Sequence, residues 1–362
     1  MATKSTTGRA RKKPAKVAVG TSEVNASDLR GLQQAWQQKH LVPFIGAGVS
    51  IPHGLPSWRN LVLEMLFEQV PHTRRLGSLP PNYQRALSAW MTDYFDYNPL
   101  VLARMVEKQF AKSARSGSFT ESLRNRLYVH ERSLPAGPKS ALQALAAMAG
   151  KGNDQQGLAA AVSFNFDDLL ERELASLNVP CTPVFDGSRN HSKGLRVVHP
   201  HGYVPKTGPV GRGSLVFTET DYHHLTESVF HWGLAEIVGH LRNNTALFVG
   251  LSMSDPSLRR LMDASRNSDI PPHWQIQKRH QVQNKDMLAV MSDVERRASE
   301  WTASVGGPPA GKQPAELADA INAALGQADS YDQEVYETMG VKTIWLNDWD
   351  DIPLLLEAIA SP

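Results

Sequence analysis

The sequence predicts an α/β protein built on a doubly wound parallel sheet, and three observations carry that prediction. Short apolar, β-rich runs recur along the chain, segments with apolar residues near helical spacing separate them, and glycine-rich or polar turns follow several of the runs. The runs are Leu41–Ile45, Leu158–Phe164, Leu195–Val198, Ala246–Val249, Trp274–Ile276 and Val341–Trp345. The crossovers include Trp58–Val70, Asp168–Leu177, Val229–Leu241, Pro256–Ala264 and Ile352–Ile359.

Between the first two strands lies a long stretch, 71–152, in which Tyr83–Asp93, Pro99–Lys112 and Phe119–Val129 have helical patterns. It is expected to form an α-helical insertion. Val305–Pro314, rich in glycine and proline, is expected to be a loop before a last α-β-α segment. Met1–Val19 carries Lys4, Arg9, Arg11, Lys12, Lys13 and Lys16 with no acidic residue and no signal-peptide core, so residues 1–27 are expected to be a disordered basic arm. That arm reads either as a docking tail or as a solvated leader. The remainder, 28–362, is expected to be one domain containing the insertion.

Composition narrows the function classes. The 362 residues are 41% hydrophobic and 20% charged, and no apolar run approaches the roughly 18 residues of a membrane span. A net charge of +2 is too small to argue for nucleic acid as the main partner. The lone Cys181 excludes an internal disulfide and any C-x-x-C metal pair, and the expected compartment is the cytoplasm.

Phe44-Ile45-Gly46-Ala47-Gly48-Val49-Ser50 sets two glycines directly after a strand. Such a turn lets the backbone approach a pyrophosphate, and it also reads as a plain structural turn. Ile51 stands where G-x-G-x-x-G has its third glycine, so the residues do not describe an ordinary Rossmann dehydrogenase.

Three further strand exits are polar. Ser163-Phe164-Asn165-Phe166-Asp167 would project Asn165 and Asp167 at the carboxyl edge of the sheet, although Asn there also forms turns and Asp167 or Asp168 also caps the next helix. Val198-His199-Pro200-His201-Gly202 offers His201 as a general base with an open approach, while His199 reads as a surface or hydrogen-bonded residue. Val249-Gly250-Leu251-Ser252 offers amides and a hydroxyl to phosphate or ribose, and Asp255-Pro256 reads as a helix start.

In their order and spacing, Gly46-Ala47-Gly48-Val49-Ser50, Gly54-Leu55-Pro56-Ser57-Trp58, Asn165-x-Asp167, His201-Gly202 and Gly250-x-Ser252 resemble the sirtuin superfamily. The resemblance implies a Rossmann-like, sirtuin-type fold that uses NAD⁺. Sirtuin deacylases carry two cysteine pairs for zinc, an Asp-Phe-Arg run after the glycine turn and a Gln before the catalytic Asn. Cys181, Pro56-Ser57-Trp58 and Ser163-Phe164-Asn165 replace these, so no zinc is expected.

These departures, with the helical insertion, are similar to bacterial sirtuin-like NADases of antiphage defence. That resemblance implies Asn165 and His201 as the catalytic pair. It implies Gly46, Ala47, Gly48, Ser50, Asp167, Gly250 and Ser252 as holders of NAD⁺, with Asn347 facing the adenosine ribose. It further implies NAD⁺ as substrate and, for some members, a HerA-type ATPase partner; because a free NADase would be toxic to its host, a homo-oligomer or other assembly is expected to control activity. Nucleic acid is not required for the fold, and no membrane is expected. A deacylase, an ADP-ribosyltransferase and a non-catalytic nucleotide sensor remain alternatives.

Overall fold

The computed structural model describes residues 15–69, 79–80, 98–112, 118–134, 137–187, 194–210, 215–227, 231–253, 255–265, 272–305 and 316–361, with scattered positions from 83 to 94. Two short strands open it, β1 (Lys16–Val19) and β2 (Ser22–Asn25), followed by α1 (Ala26–Gln37), β3 (Leu41–Ile45) and α2 (Trp58–Gln69). Then come α3 (Pro99–Lys112), α4 (Ser118–Tyr128), α5 (Ala141–Gly150), β4 (Ala161–Ser163), α6 (Leu169–Ser176), β5 (Cys181–Val184) and β6 (Leu195–Val198). The chain continues through α7 (Glu219–Glu227), α8 (Trp232–Asn243), β7 (Thr245–Val249), α9 (Pro256–Ser265) and β8 (His273–Lys278). It closes with α10 (Asn284–Val305), α11 (Leu317–Thr338), β9 (Val341–Leu346) and α12 (Ile352–Ile359).

Seven strands form one parallel sheet in the order β5-β6-β4-β3-β7-β8-β9. All six expected strands are present. β3 and β7 are buried along their whole length, which is why both read as unbroken apolar runs. Their side chains nevertheless alternate between two apolar layers. Leu41, Ile45, Leu247 and Val249 join one core cluster, whereas Val42, Phe44, Ala246 and Phe248 join another. The first cluster includes Leu32 and Trp36 of α1, Leu145 of α5, Leu174 of α6 and Leu355 of α12. The second includes Ile237 and Leu241 of α8 and Leu258 and Met262 of α9. Helices therefore cover both faces, and the sheet is doubly wound.

After β3 the chain runs outward through β4 to β6 and β5, then returns on the other side of β3 through β7, β8 and β9. The order thus reverses around β3. A crevice opens outside the carboxyl ends of the strands at such a reversal, and here the Gly46 and Gly250 turns flank it.

Residues 16–25 do not belong to a disordered arm. Lys16–Val19 and Ser22–Asn25 pair antiparallel around Gly20, with Val19 and Val24 buried. The turn is clamped from far along the chain: Thr21 and Ser22 donate their hydroxyls to the Asp351 carboxylate at 2.7 and 2.6 Å. α1 begins at Ala26 with Asn25 as N-cap, so residues 26 and 27 are helical as well. Positions 1–14 lie outside the described residues.

Within the expected insertion, α3 and α4 occur where their periodicity placed them, while most of Tyr83–Asp93 lies outside the described residues. The last helix of that stretch is a correction. α5, opened by a Ser140–Gln143 capping box, packs on α6 and α12 as part of the sheet's own helical layer. Of Val305–Pro314, Val305 ends α10 and the rest lies outside the described residues. Among the described residues, no helix is long and apolar enough to cross a membrane.

Candidate active site

The exit of β4 turns Asn165 toward the glycine turn. Its Nδ2 donates to the Gly46 carbonyl and to Ser50 Oγ, both at 3.1 Å. Ser50 Oγ donates its own proton in a hydrogen bond to Asp167 Oδ2 at 2.9 Å, and the Leu169 amide donates to Asp167 Oδ1 at 3.1 Å. The Gly46 oxygen can only accept, so it fixes which end of the Asn165 amide is nitrogen. Both amide protons are thereby spent, and Oδ1 is the group left to meet a ligand.

Ser50 and Asp167 are buried beneath Asn165, and with it they line a small cavity of about 50 Å³. Neither lines the larger spaces above. Burial raises the Asp167 carboxyl to about 6 against the bonds from Leu169 and Ser50, which lower it. Asp167 also receives the first amide of α6. Asp168, the residue at the N-cap position, instead holds Tyr128, Arg172 and the Lys206 amide.

Glycine at 46 and 48 is demanded by the neighbouring strand exit. The Gly46 amide bonds the Val249 carbonyl at 3.1 Å and the Gly48 amide bonds the Gly250 carbonyl at 2.8 Å. A Cβ on Gly46 would sit 2.5 Å from Leu251 Cα, and one on Gly48 would sit 2.7 Å from Gly250 Cα. Gly250 has φ +60°, in the left-handed region. The two turns thus interlock, and among the described residues the Ala47 amide is left without a backbone partner.

His201 follows β6, almost fully buried, with its ring edge-on to Phe164 at 5.0 Å and Tyr222 at 5.3 Å. Burial lowers its pKa to about 4, with Asp255 acting in the opposite sense. The imidazole is therefore neutral near pH 7 and able to accept a proton. His199 is fully buried and hydrogen-bonded at both ring nitrogens, to the Asn165 carbonyl and to Glu171.

Two cavities flank the interlocked turns. The first, about 570 Å³, is lined by Gly46, Ala47, Trp58, Asn165, His201 and Ser252, among others. The second, about 720 Å³, lies along Gly48, Gly250, Ser252, Tyr336 and Trp345. Leu251 and Ser252 line both, so the β7 exit is their common wall. The structure thus brings Asn165, His201 and the two turns together.

Asn347 stands apart. Its side chain donates to the Thr21 carbonyl at 2.6 Å and its amide to Ser22 Oγ at 2.7 Å, so it ties down the β1–β2 hairpin and lines neither cavity. Sequence reasoning missed Tyr222 and Glu219, which reach the first cavity from α7, a helix with no distinctive signal. It also missed Tyr128, whose buried hydroxyl joins Asp168 to the Val204 carbonyl. Asp255 does act as the helix cap read from the sequence, accepting from the Leu258 amide at 3.3 Å.

No curated protein matches the chain. Residues 159–302, which include Asn165, His201, Gly250 and Ser252, match the family described as SIR2-like domain, and this match supports a sirtuin-like family for the chain.

Proposed function

We propose that the protein hydrolyses NAD⁺ to nicotinamide and ADP-ribose. The observation that carries this reading is that Asn165 and His201 line one cavity, while a second cavity lies against the other side of the shared β7 exit. A dinucleotide has two such ends. Its nicotinamide ribose would lie in the first cavity, its pyrophosphate across the turns beside the Ala47 amide, and its adenosine in the second.

Nicotinamide leaves as a neutral molecule from a cationic substrate, so no acid is required. What lowers the barrier is positioning of the ribose and stabilisation of the positive charge that grows at C1′. Asn165 Oδ1 accepts from a ribose hydroxyl or from the attacking water. His201, neutral at physiological pH, takes the proton that the water gives up as its oxygen bonds to C1′. The resemblance to antiphage NADases adds a wider setting: an NAD⁺-depleting effector kept inactive until a homo-oligomer or a HerA-type ATPase assembly forms.

The test is direct. Purified protein is incubated with NAD⁺, alone and with a co-encoded ATPase, and nicotinamide and ADP-ribose are quantified for wild type, Asn165→Ala and His201→Ala. The expected result is release of both products by wild type, with kcat lowered roughly 10²–10⁴-fold in either variant and KM little changed. Equal turnover in variants and wild type would refute the roles given to Asn165 and His201. NAD⁺ binding without nicotinamide release under every condition would replace the enzyme by a nucleotide sensor.

A further inference from the structure

Beneath the candidate active site lies a buried pair that the hydrolysis scheme does not use. His199 Nε2 is 2.6 Å from Glu171 Oε1, and His199 Nδ1 is 3.1 Å from the backbone carbonyl of Asn165. His199 is fully buried and Glu171 nearly so. Among the described residues, the second oxygen of Glu171, Oε2, is buried without a hydrogen bond, and the hydrogen bond the carboxylate does make is with His199.

A carbonyl and a carboxylate both accept, and an imidazole can donate to both only when both of its nitrogens are protonated. The Asn165 amide also donates to Ser163 Oγ at 3.3 Å. Together with the bonds from the side chain to Gly46 and Ser50, these contacts hold Asn165 at its amide, its carbonyl and its side chain. Loss of the imidazolium proton would set a ring lone pair against Glu171, or turn the ring and release the Asn165 carbonyl.

We propose that His199, held as an imidazolium between Glu171 and the Asn165 carbonyl, is a positioning residue that fixes Asn165 for catalysis. The catalytic part of this inference rests on the NAD⁺-cleavage reading. The surroundings favour the charged ring. Burial by itself lowers the His199 pKa, but Glu171, the Asn165 carbonyl and Asp167 outweigh it, and the net shift is upward.

The titratable groups facing the pair are Asp167 in the β4–α6 turn, Cys181 on β5 and Tyr203 after β6, and the charge of Asp168 also acts on Tyr203. Burial raises Cys181 to about 11 and pushes Tyr203 upward as well. A group with a raised pKa acts below that pKa and fails as pH rises through it, so positioning is lost on the alkaline side.

The full chain is labelled with ¹⁵N at histidine and at asparagine, and spectra are recorded from pH 6 to 10 for wild type and Glu171→Gln, with Asn165→Ala identifying the Asn165 side-chain peak. Glutamine keeps the shape of the pair and lets a neutral ring retain its bond to Asn165. In wild type, both His199 nitrogens are expected to carry protons at pH 7. The Asn165 amide peak should move in the same step that deprotonates the ring, and kcat for nicotinamide release should fall about tenfold there with KM steady.

In Glu171→Gln that step should vanish from the spectra, and the turnover retained at pH 7 should persist to high pH. A neutral His199 ring in wild type at pH 7, or an Asn165 peak indifferent to His199, would overturn the proposal. An alkaline loss of turnover that is the same in both proteins would do so too. The spectra decide the positioning even where nicotinamide release is absent, so failure of the hydrolase reading remains a separate outcome.

Discussion

Replacing Ser50 with alanine removes one hydroxyl that serves two buried partners. Ser50 Oγ donates to Asp167 Oδ2 at 2.9 Å and accepts from Asn165 Nδ2 at 3.1 Å. A hydrogen bond to an ionised group contributes about 1.5–3 kcal/mol and a neutral one about 1 kcal/mol. At pH 8, where Asp167 is ionised, the expected loss is therefore about 2.5–4 kcal/mol. With an unfolding entropy of about 2.1 cal/mol/K per residue over 362 residues, that is a fall in Tm of about 3–5 °C.

The loss should depend on pH, and the sign follows from Asp167. Burial raises its carboxyl to about 6 in the folded protein. A carboxyl raised in this way takes up a proton on folding, so the fold loses stability as pH rises from the usual carboxylate range through about 6. At pH 5 the folded protein carries Asp167 protonated, both bonds to Ser50 are neutral, and removing the hydroxyl costs only about 2 kcal/mol. Thermal melts of wild type and Ser50→Ala at pH 5 and pH 8 test this. A Tm difference that is the same at both pH values would show that Ser50 and Asp167 are not coupled as the geometry requires.

Two other substitutions separate contact from support. Gly48→Ala places a Cβ 2.7 Å from Gly250 Cα and 2.9 Å from its carbonyl oxygen, both backbone atoms. It should cost about 1–3 kcal/mol and raise KM for NAD⁺ by prying the turns apart, and denaturant melts with unchanged midpoints would show spare room between them. Asn347→Ala should lower stability by about 1 kcal/mol or less through the hairpin and leave KM for NAD⁺ unchanged. A clear rise in KM would return Asn347 to the nucleotide.

Much of the architecture was legible because its signals are local. Apolar runs such as Leu41–Ile45 and Ala246–Val249 mark buried strands from composition alone, and the polar residues after them mark the carboxyl edge where such a sheet opens. β5 was not legible. Cys181-Thr182-Pro183-Val184 contains a proline and lies on the outer edge of the sheet, half-buried, so it lacks the apolar run that marks a central strand. The β1–β2 hairpin was missed because its clamp, Asp351, lies 330 residues from Thr21.

The sequence by itself determined that Asn165, His201, Gly46 and Ser252 follow strands, and hence that all four stand near one edge. Only the tertiary structure decided what each of them touches. Asn165 meets the Gly46 carbonyl across 119 residues and Ser50 across 115, and those two bonds decide that its oxygen, not its nitrogen, is available. Likewise, the family resemblance implies a ribose contact for Asn347, yet its side-chain Nδ2 donates to the Thr21 carbonyl. Periodicity reports which face of an element is buried. Hydrogen-bond partners and approach distances arise only when distant segments pack, so no local pattern encodes them.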